Sequence, residues 1–155
     1  GVHYRRLETG YIDTTFAPLL LTLFHPDSAY SVEEKNVNNS SLVVKMSYGE
    51  SDFLFVGDLE EEGDEVVTPF GELLRSEVLK VGHHGSITSS TQPFLDAVNP
   101  DLAIVSVGER NKFRHPSAVV MKRLTDSGAE VLRTDFEGAI WLKSDGEQIR
   151  RYYWR

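Results

Sequence analysis

The chain contains no cysteine. That excludes a disulfide framework, a thiolate metal site and a cysteine nucleophile, and leaves the redox compartment open. Long hydrophobic runs are also missing. The most apolar stretch, Phe16 to Phe24, has nine residues and is interrupted by Pro18 and Thr22, against the roughly 20 apolar residues of a spanning helix. The opening Gly1-Val2-His3-Tyr4-Arg5-Arg6 is not followed by the apolar stretch of a signal peptide, and so abrupt a start is expected of a piece of a longer protein. Positive charge is scarce: 16 Lys and Arg stand against 24 Asp and Glu, a formal net charge of −8. A surface coated in cations for nucleic acid is thereby disfavoured. An enzyme that meets phosphodiesters through metal ions is not. With 155 residues, 40% hydrophobic and 26% charged, the composition is that of one soluble globular domain, long enough to bury a core.

Periodicity and punctuation give the elements. Leu19 to Phe24 is the size of a buried strand, bounded by Pro18 and Pro26. Asp27 to Ser41, with Asn36, Asn38 and Asn39, is expected to be a long polar loop. Ser41 to Tyr48 and Phe53 to Val56, joined by Gly49-Glu50-Ser51-Asp52, form a hairpin. Leu59 to Arg75 is expected to be helical, interrupted at Pro69 and Gly71. Glu77 to Val81 is a strand, Thr91 to Val98 a helix, Leu102 to Val107 a strand, Ser117 to Ser127 an amphipathic helix ended by Gly128, and Val131 to Arg133 a strand. Ala139 to Lys143 and Gln148 to Trp154 flank Asp145-Gly146, a hairpin turn signal. Strand–helix–strand alternation implies parallel pairing with helices on a sheet face, so the class is α/β.

Polar residues collect just after apolar strands, where open α/β sheets bind ligands. Asp58 follows Val56-Gly57. It is either a helix N-cap completed by Glu61 in a capping box, or a metal carboxylate aimed by the Gly57 turn. His83 and His84 lie between Gly82 and Gly85. Neutral imidazole ligates zinc, manganese and iron, and a plain hydrogen-bonded turn accounts less readily for two adjacent rings. His115 precedes Pro116-Ser117, which reads equally as a helix start. Asp135 reads as a turn residue, and the acidic run beyond Asp58 as a solvated helix start. The tail Arg150-Arg151-Tyr152-Tyr153-Trp154-Arg155 could stack on nucleic acid, or simply be an edge strand with outward arginines.

Five segments together resemble a known family: Asn38-Asn39-Ser40-Ser41-Leu42-Val43-Val44, Phe53-Leu54-Phe55-Val56-Gly57-Asp58-Leu59-Glu60, Val78-Leu79-Lys80-Val81-Gly82-His83-His84-Gly85-Ser86, Asn111-Lys112-Phe113-Arg114-His115-Pro116 and Arg133-Thr134-Asp135. In order and spacing, from about Leu20 to about Leu142, they are similar to the metallo-β-lactamase-like domain of the ComEC/Rec2 competence proteins. The resemblance implies an αββα sandwich and a two-metal hydrolase acting on DNA during uptake. It matches Asp58 to the carboxylate bridging two divalent ions, zinc or manganese. It matches His83 or His84, with His84 preferred beside the Gly85 turn, to a late metal histidine, and sets His115 and Ser86 in the same pocket. The family's early His-x-His-x-Asp-His motif has no counterpart among the histidines at 3, 25, 83, 84 and 115.

The chain is therefore expected to be a single partial domain over 1–155, the carboxyl-terminal half of the sandwich. Such a half binds metal weakly or not at all and is inactive alone. It lacks its amino-terminal half, exposes an apolar sheet face, and dimerises through that face or swaps strands. The parent is expected to be an integral membrane protein that handles single-stranded DNA, with this portion soluble outside the bilayer and extracytoplasmic. Two alternatives stand beside a nuclease: a hydrolase of small phosphodiesters such as a phosphocholine ester, and a non-catalytic module that guides DNA or binds a partner.

Overall fold

The computed structural model describes residues 9–26 and 36–153. Seven strands pair in chain order: β1 (Ile12–Asp13), β2 (Leu19–His25), β3 (Val43–Tyr48), β4 (Ser51–Phe55), β5 (Val78–Lys80), β6 (Leu102–Val105) and β7 (Glu130–Arg133). The pairs up to β3–β4 are antiparallel and the pairs from β4–β5 to β6–β7 are parallel. Each parallel step is crossed by a helix: α1 (Glu61–Val67), α2 (Gln92–Val98) and α3 (Ala118–Asp126). Right-handed crossovers that always step the same way along a sheet put every helix on the same face.

Side-chain alternation along the strands confirms that arrangement. Leu54 and Val56, Leu79 and Val81, and Ala103 and Val105 are buried, in one cluster with Val67, Phe94, Leu95, Val98, Val120 and Leu124 of the helices. The intervening residues face the other way. Met46, Phe53, Phe55, Val78 and Ile104 line a 590 Å³ cavity with Ile140 and Leu142. That second face is roofed by the hairpin β8 (Trp141–Ser144) and β9 (Ile149–Tyr152). The hairpin is pinned to the β3–β4 turn by Ser144 Oγ donating to Ser51 Oγ at 2.6 Å and Glu50 N donating to the Gly146 carbonyl at 2.6 Å. The cover is incomplete, since Phe55 remains exposed.

The expected elements are present, with shifted boundaries. The long helix after Asp58 is two pieces, α1 and a 3-10 stretch over Thr68–Leu74, kinked at Gly71 with φ 52°. The capping box is corrected. Helix α1 starts at Glu61 behind Glu60, which makes no side-chain cap bond, so Asp58 lies upstream of the helix and is free of that duty. Pro116 likewise lies before the cap of α3 rather than in its first turn. Ser117 is the N-cap, its Oγ accepting from Val120 N. Part of the polar loop, 27–35, lies outside the described residues, and Val37–Ser40 is a 3-10 turn. The short β1 and a one-turn helix α4 (Thr134–Glu137) carry no readable pattern in sequence.

Asp64 of α1 is buried, and its Oδ2 accepts from Thr91 N at 2.8 Å, tying α1 to the cap of α2. Burial pushes its carboxyl up from 3.8 to about 7, against the opposing pull of the Thr91 hydrogen bonds. A folded pKa above the unfolded one contributes stability that is complete below about pH 4 and is lost as pH rises through 7. Thermal unfolding between pH 5 and 8 should therefore show wild-type stability falling by an amount on the order of a few kcal/mol relative to Asp64→Asn. Parallel pH profiles for the two proteins would contradict this.

Candidate functional site

The site is built at the carboxyl ends of β4, β5 and β6 from three turns: 57–60, 82–86 and 106–117. Gly57 begins the first with φ 56°, and a Cβ there would lie 2.8 Å from Ser41 Oγ. Glycine alone meets both demands cheaply. The Gly57 carbonyl accepts from Lys80 Nζ at 2.9 Å and His83 N at 3.2 Å, which fastens the first turn to the second. Burial lowers the Lys80 pKa, and the Asp58 charge opposes that shift. From the other side, Ser41 Oγ accepts from Asp58 N and Asn39 Oδ1 accepts from Glu60 N, each at 2.9 Å. Asp58-Leu59-Glu60 is thus clamped through its backbone, and both carboxylates are left to face outward from the sheet.

The second turn is strained. His83 and His84 take φ values of 42° and 55°, left-handed conformations uncommon outside glycine. The flanking glycines make room for it. A Cβ on Gly82 would meet the Leu59 carbonyl at 2.9 Å, and one on Gly85, itself at φ 80°, would meet Pro116 Cβ at 2.6 Å. Two consecutive left-handed residues throw the two rings in different directions. His84 Nδ1 lies 2.6 Å from the Ser106 carbonyl. A carbonyl only accepts, so Nδ1 carries the proton and the neutral ring presents a bare lone pair at Nε2. That Nε2 faces Asp58 Oδ1 at 3.5 Å, with both side chains half exposed.

His83 turns toward Glu60. Its Nδ1 is 2.8 Å from Glu60 Oε1, close but outside hydrogen-bond geometry. The same Oε1 accepts from Thr88 Oγ1 at 3.0 Å. The His115 ring is 5.6 Å from the His83 ring. Burial, then the neighbouring His83 and His84, lower the His115 pKa, so its ring is neutral at neutral pH. Ser86 borders the turn, and its hydroxyl is engaged with Thr88 Oγ1 at 3.0 Å. The structure therefore brings Asp58 and His84 face to face, sets His83 and His115 beside them, and leaves Ser86 in the supporting turn. Asp135 is bound to Arg133 at 2.6 Å, which holds its carboxyl below the usual range, as a local turn contact. The described tail cations are committed locally, Arg151 to Glu137 at 2.6 Å and Arg150 to Gln148 at 3.2 Å.

A carboxylate oxygen and an imidazole lone pair opposed at 3.5 Å can share a cation. A proton fits poorly, because charge-assisted N–H···O contacts run to roughly 2.7–2.9 Å. Two donors on one tetrahedral zinc, with bonds of roughly 2.0–2.2 Å, are about 3.3–3.6 Å apart. The Nδ1–H to carbonyl bond is also the usual outer support of a metal-binding histidine. The pair therefore suits a cation. It supplies two donors, and among the described residues no group of three or more metal-binding side chains is assembled.

The sequence profile of the metallo-β-lactamase superfamily matches residues 34–109. Competence protein ComA of Neisseria gonorrhoeae is 38% identical over 133 residues, and ComE operon protein 3 of Bacillus subtilis is 39% identical over 117. Recombination protein 2 of Haemophilus influenzae is 32% identical over 141. The chain is a metallo-β-lactamase-superfamily domain related to the ComEC/Rec2 competence proteins. These alignments cover 79%, 76% and 90% of the chain but only 19%, 15% and 17% of the relatives, so it spans less than a fifth of their length. In fold it is similar to the crystal structure of a candidate metal-dependent hydrolase from Parabacteroides distasonis. The TM-score is 0.53 at 14% identity, over 83% of this chain and 56% of that one.

Sequence inspection missed Glu60 of this ComEC/Rec2-related domain, because an acidic run before a helix reads as dipole stabilisation. The available signal was Asp-x-Glu placed ahead of, rather than inside, the first helical turn. The clamp residues Asn39 and Ser41 carry the resemblance but read as loop and strand start with no role at the site, and the Ser106 carbonyl has no side-chain signature at all.

Nitrogen-15 NMR at mildly alkaline pH should find His84 as the Nδ1–H tautomer, with Nε2 unprotonated. The opposite tautomer would contradict the assignment made from the Ser106 bond.

Proposed function

We propose that this chain is part of a metal-dependent phosphodiester hydrolase domain in a DNA-uptake protein. The observation that carries the proposal is the opposition of Asp58 Oδ1 and His84 Nε2 on neighbouring strand ends, with the His84 lone pair exposed by its bond to Ser106. Zinc or manganese ions bound there supply Lewis-acid polarisation of a phosphoryl oxygen and activation of water near neutral pH. Asp58, through its carboxylate, and His84, through Nε2, are the residues that would hold the metal. His83, next in line and paired with Glu60, is the further ring available to the site. His115 stays uncharged, so it can accept a hydrogen bond or a proton from the reacting group without first losing one of its own. Ser86 steadies the turn that carries both histidines, or a phosphate oxygen beside it.

Two donors are fewer than the three protein ligands of a usual catalytic zinc site. The domain over 1–155 is on this proposal a partial one that binds metal weakly and is inactive by itself. The missing ligands come from an amino-terminal half of the sandwich. Two observations support that view: the likeness to the solved hydrolase extends over 56% of its chain, and apolar Phe55 stands exposed on the sheet face away from the helices. In isolation the same face would draw two copies of the chain together. Among the described residues no helix is long and apolar enough to cross a membrane. Similarity to competence proteins suits a domain of a larger DNA-uptake protein; on this proposal that protein is membrane-bound and the domain lies outside the bilayer, on the extracytoplasmic side.

The test is a nuclease assay with manganese or zinc on the chain joined to the preceding part of its domain, beside Asp58→Ala and His84→Ala. Loss of at least about a hundredfold in both variants is expected for groups whose role is in the reaction itself. Equal activity in all three proteins would reject the catalytic roles and favour a non-catalytic DNA-guiding module. Cleavage of a small phosphodiester without cleavage of DNA would redirect the substrate.

A further inference from the structure

We propose that Phe113 is a stacking platform for an unpaired base of the nucleic-acid strand that enters the site, an inference that rests on the phosphodiester reading. Phe113 is 66% exposed on the 108–116 loop. The loop is held to one shape. Asn111 Nδ2 donates to the His115 carbonyl at 2.8 Å and to the Gly108 carbonyl at 3.1 Å, and Asn111 Oδ1 accepts from His115 N at 2.8 Å. Ser117 N donates to the Gly85 carbonyl at 2.8 Å, which fastens the loop to the histidine turn. One face of Phe113 lies against His115, with centroids 5.8 Å apart and planes inclined by 15°. The ring is thereby oriented before anything binds, which lowers the ordering cost of stacking upon it.

Its surroundings suit a nucleotide. Phe113, His115, His84, Val107, Asn111 and Thr134 line a 320 Å³ cavity, so the aromatic ring and the metal-facing histidine share one wall. Lys112 Nζ lies over the Phe113 ring, 5.0 Å from its centroid, on an exposed and displaceable side chain. Arg110 and Arg114 are exposed on the same loop, and Glu109 is its one acidic residue. A protein of net charge −8 thus carries three cations and an exposed aromatic ring on one short loop, the pairing of charge and aromatic surface that binds single strands. Bases inside a duplex have both faces covered by their neighbours, so the platform selects an unpaired end or single strand.

The test is fluorescence anisotropy of a labelled oligothymidylate, and of a duplex of equal length, with the chain in EDTA. Binding of the single strand should weaken about five- to a hundredfold in Phe113→Ala, from stacking of roughly 1–3 kcal/mol per base. Phe113→Trp should retain it, the duplex should be nearly indifferent to both changes, and Lys112→Ala should lower the salt dependence by about one phosphate contact. Unchanged affinity in Phe113→Ala, equal loss in the Ala and Trp variants, or no binding by the wild type would overturn the platform. Metal is absent throughout, so the result is independent of the Asp58 and His84 assay. A failed platform leaves the hydrolase reading standing, and failed hydrolysis leaves the platform standing as a binding site.

Discussion

Two lone-pair-bearing atoms, Asp58 Oδ1 and His84 Nε2, point at each other across the ends of neighbouring parallel strands. Left alone they repel, and the surrounding structure works to keep them opposed. Gly57 turns the chain where no side chain would fit, Ser41 and Asn39 take the amides on either side of Leu59, and the Gly57 carbonyl gathers both Lys80 and His83. The histidine turn is held in left-handed backbone by glycines packed against Leu59 and Pro116. Strain kept at such a point is the usual mark of a site whose geometry matters more than its own stability.

The sheet makes this convergence simple. Once β4 to β7 run parallel and adjacent in order, every strand-to-helix turn opens on the same edge. The three turns need no long reach to meet. The apolar alternation of the strands then serves both faces: Leu54, Leu79 and Ala103 pack under the helices, while Phe53, Val78 and Ile104 look into the second cavity. Coverage of that second face by a single hairpin leaves apolar area in water, which carries a cost of roughly 25 cal/mol per Å² until another layer removes it.

Much of this was legible in the sequence, for a physical reason. Apolar runs punctuated by glycine mark strand ends, and titratable residues at strand ends are rare enough to be noticed. Asp58, His83, His84 and His115 were found in that way. Glu60 is not, because its neighbours Glu61, Glu62, Asp64 and Glu65 make one uniform acidic run, and a two-residue shift in the start of α1 offers Asp58 as a cap. Ser86 enters only through the resemblance, and its bond to Thr88 Oγ1 shows only once the turn is formed. The Asn38–Ser41 stretch is polar like any loop. Only the fold shows that its side chains replace water on the backbone of the acidic turn.

The central claim, that a cation belongs between Asp58 and His84, is tested most directly by NMR of the chain titrated with zinc and then manganese. The account predicts zinc-induced shifts at the His84 Nε2 and the Asp58 carboxylate, with manganese broadening the same signals first and sparing Asp135. Shifts that begin elsewhere, or none at either residue at millimolar metal, would contradict it.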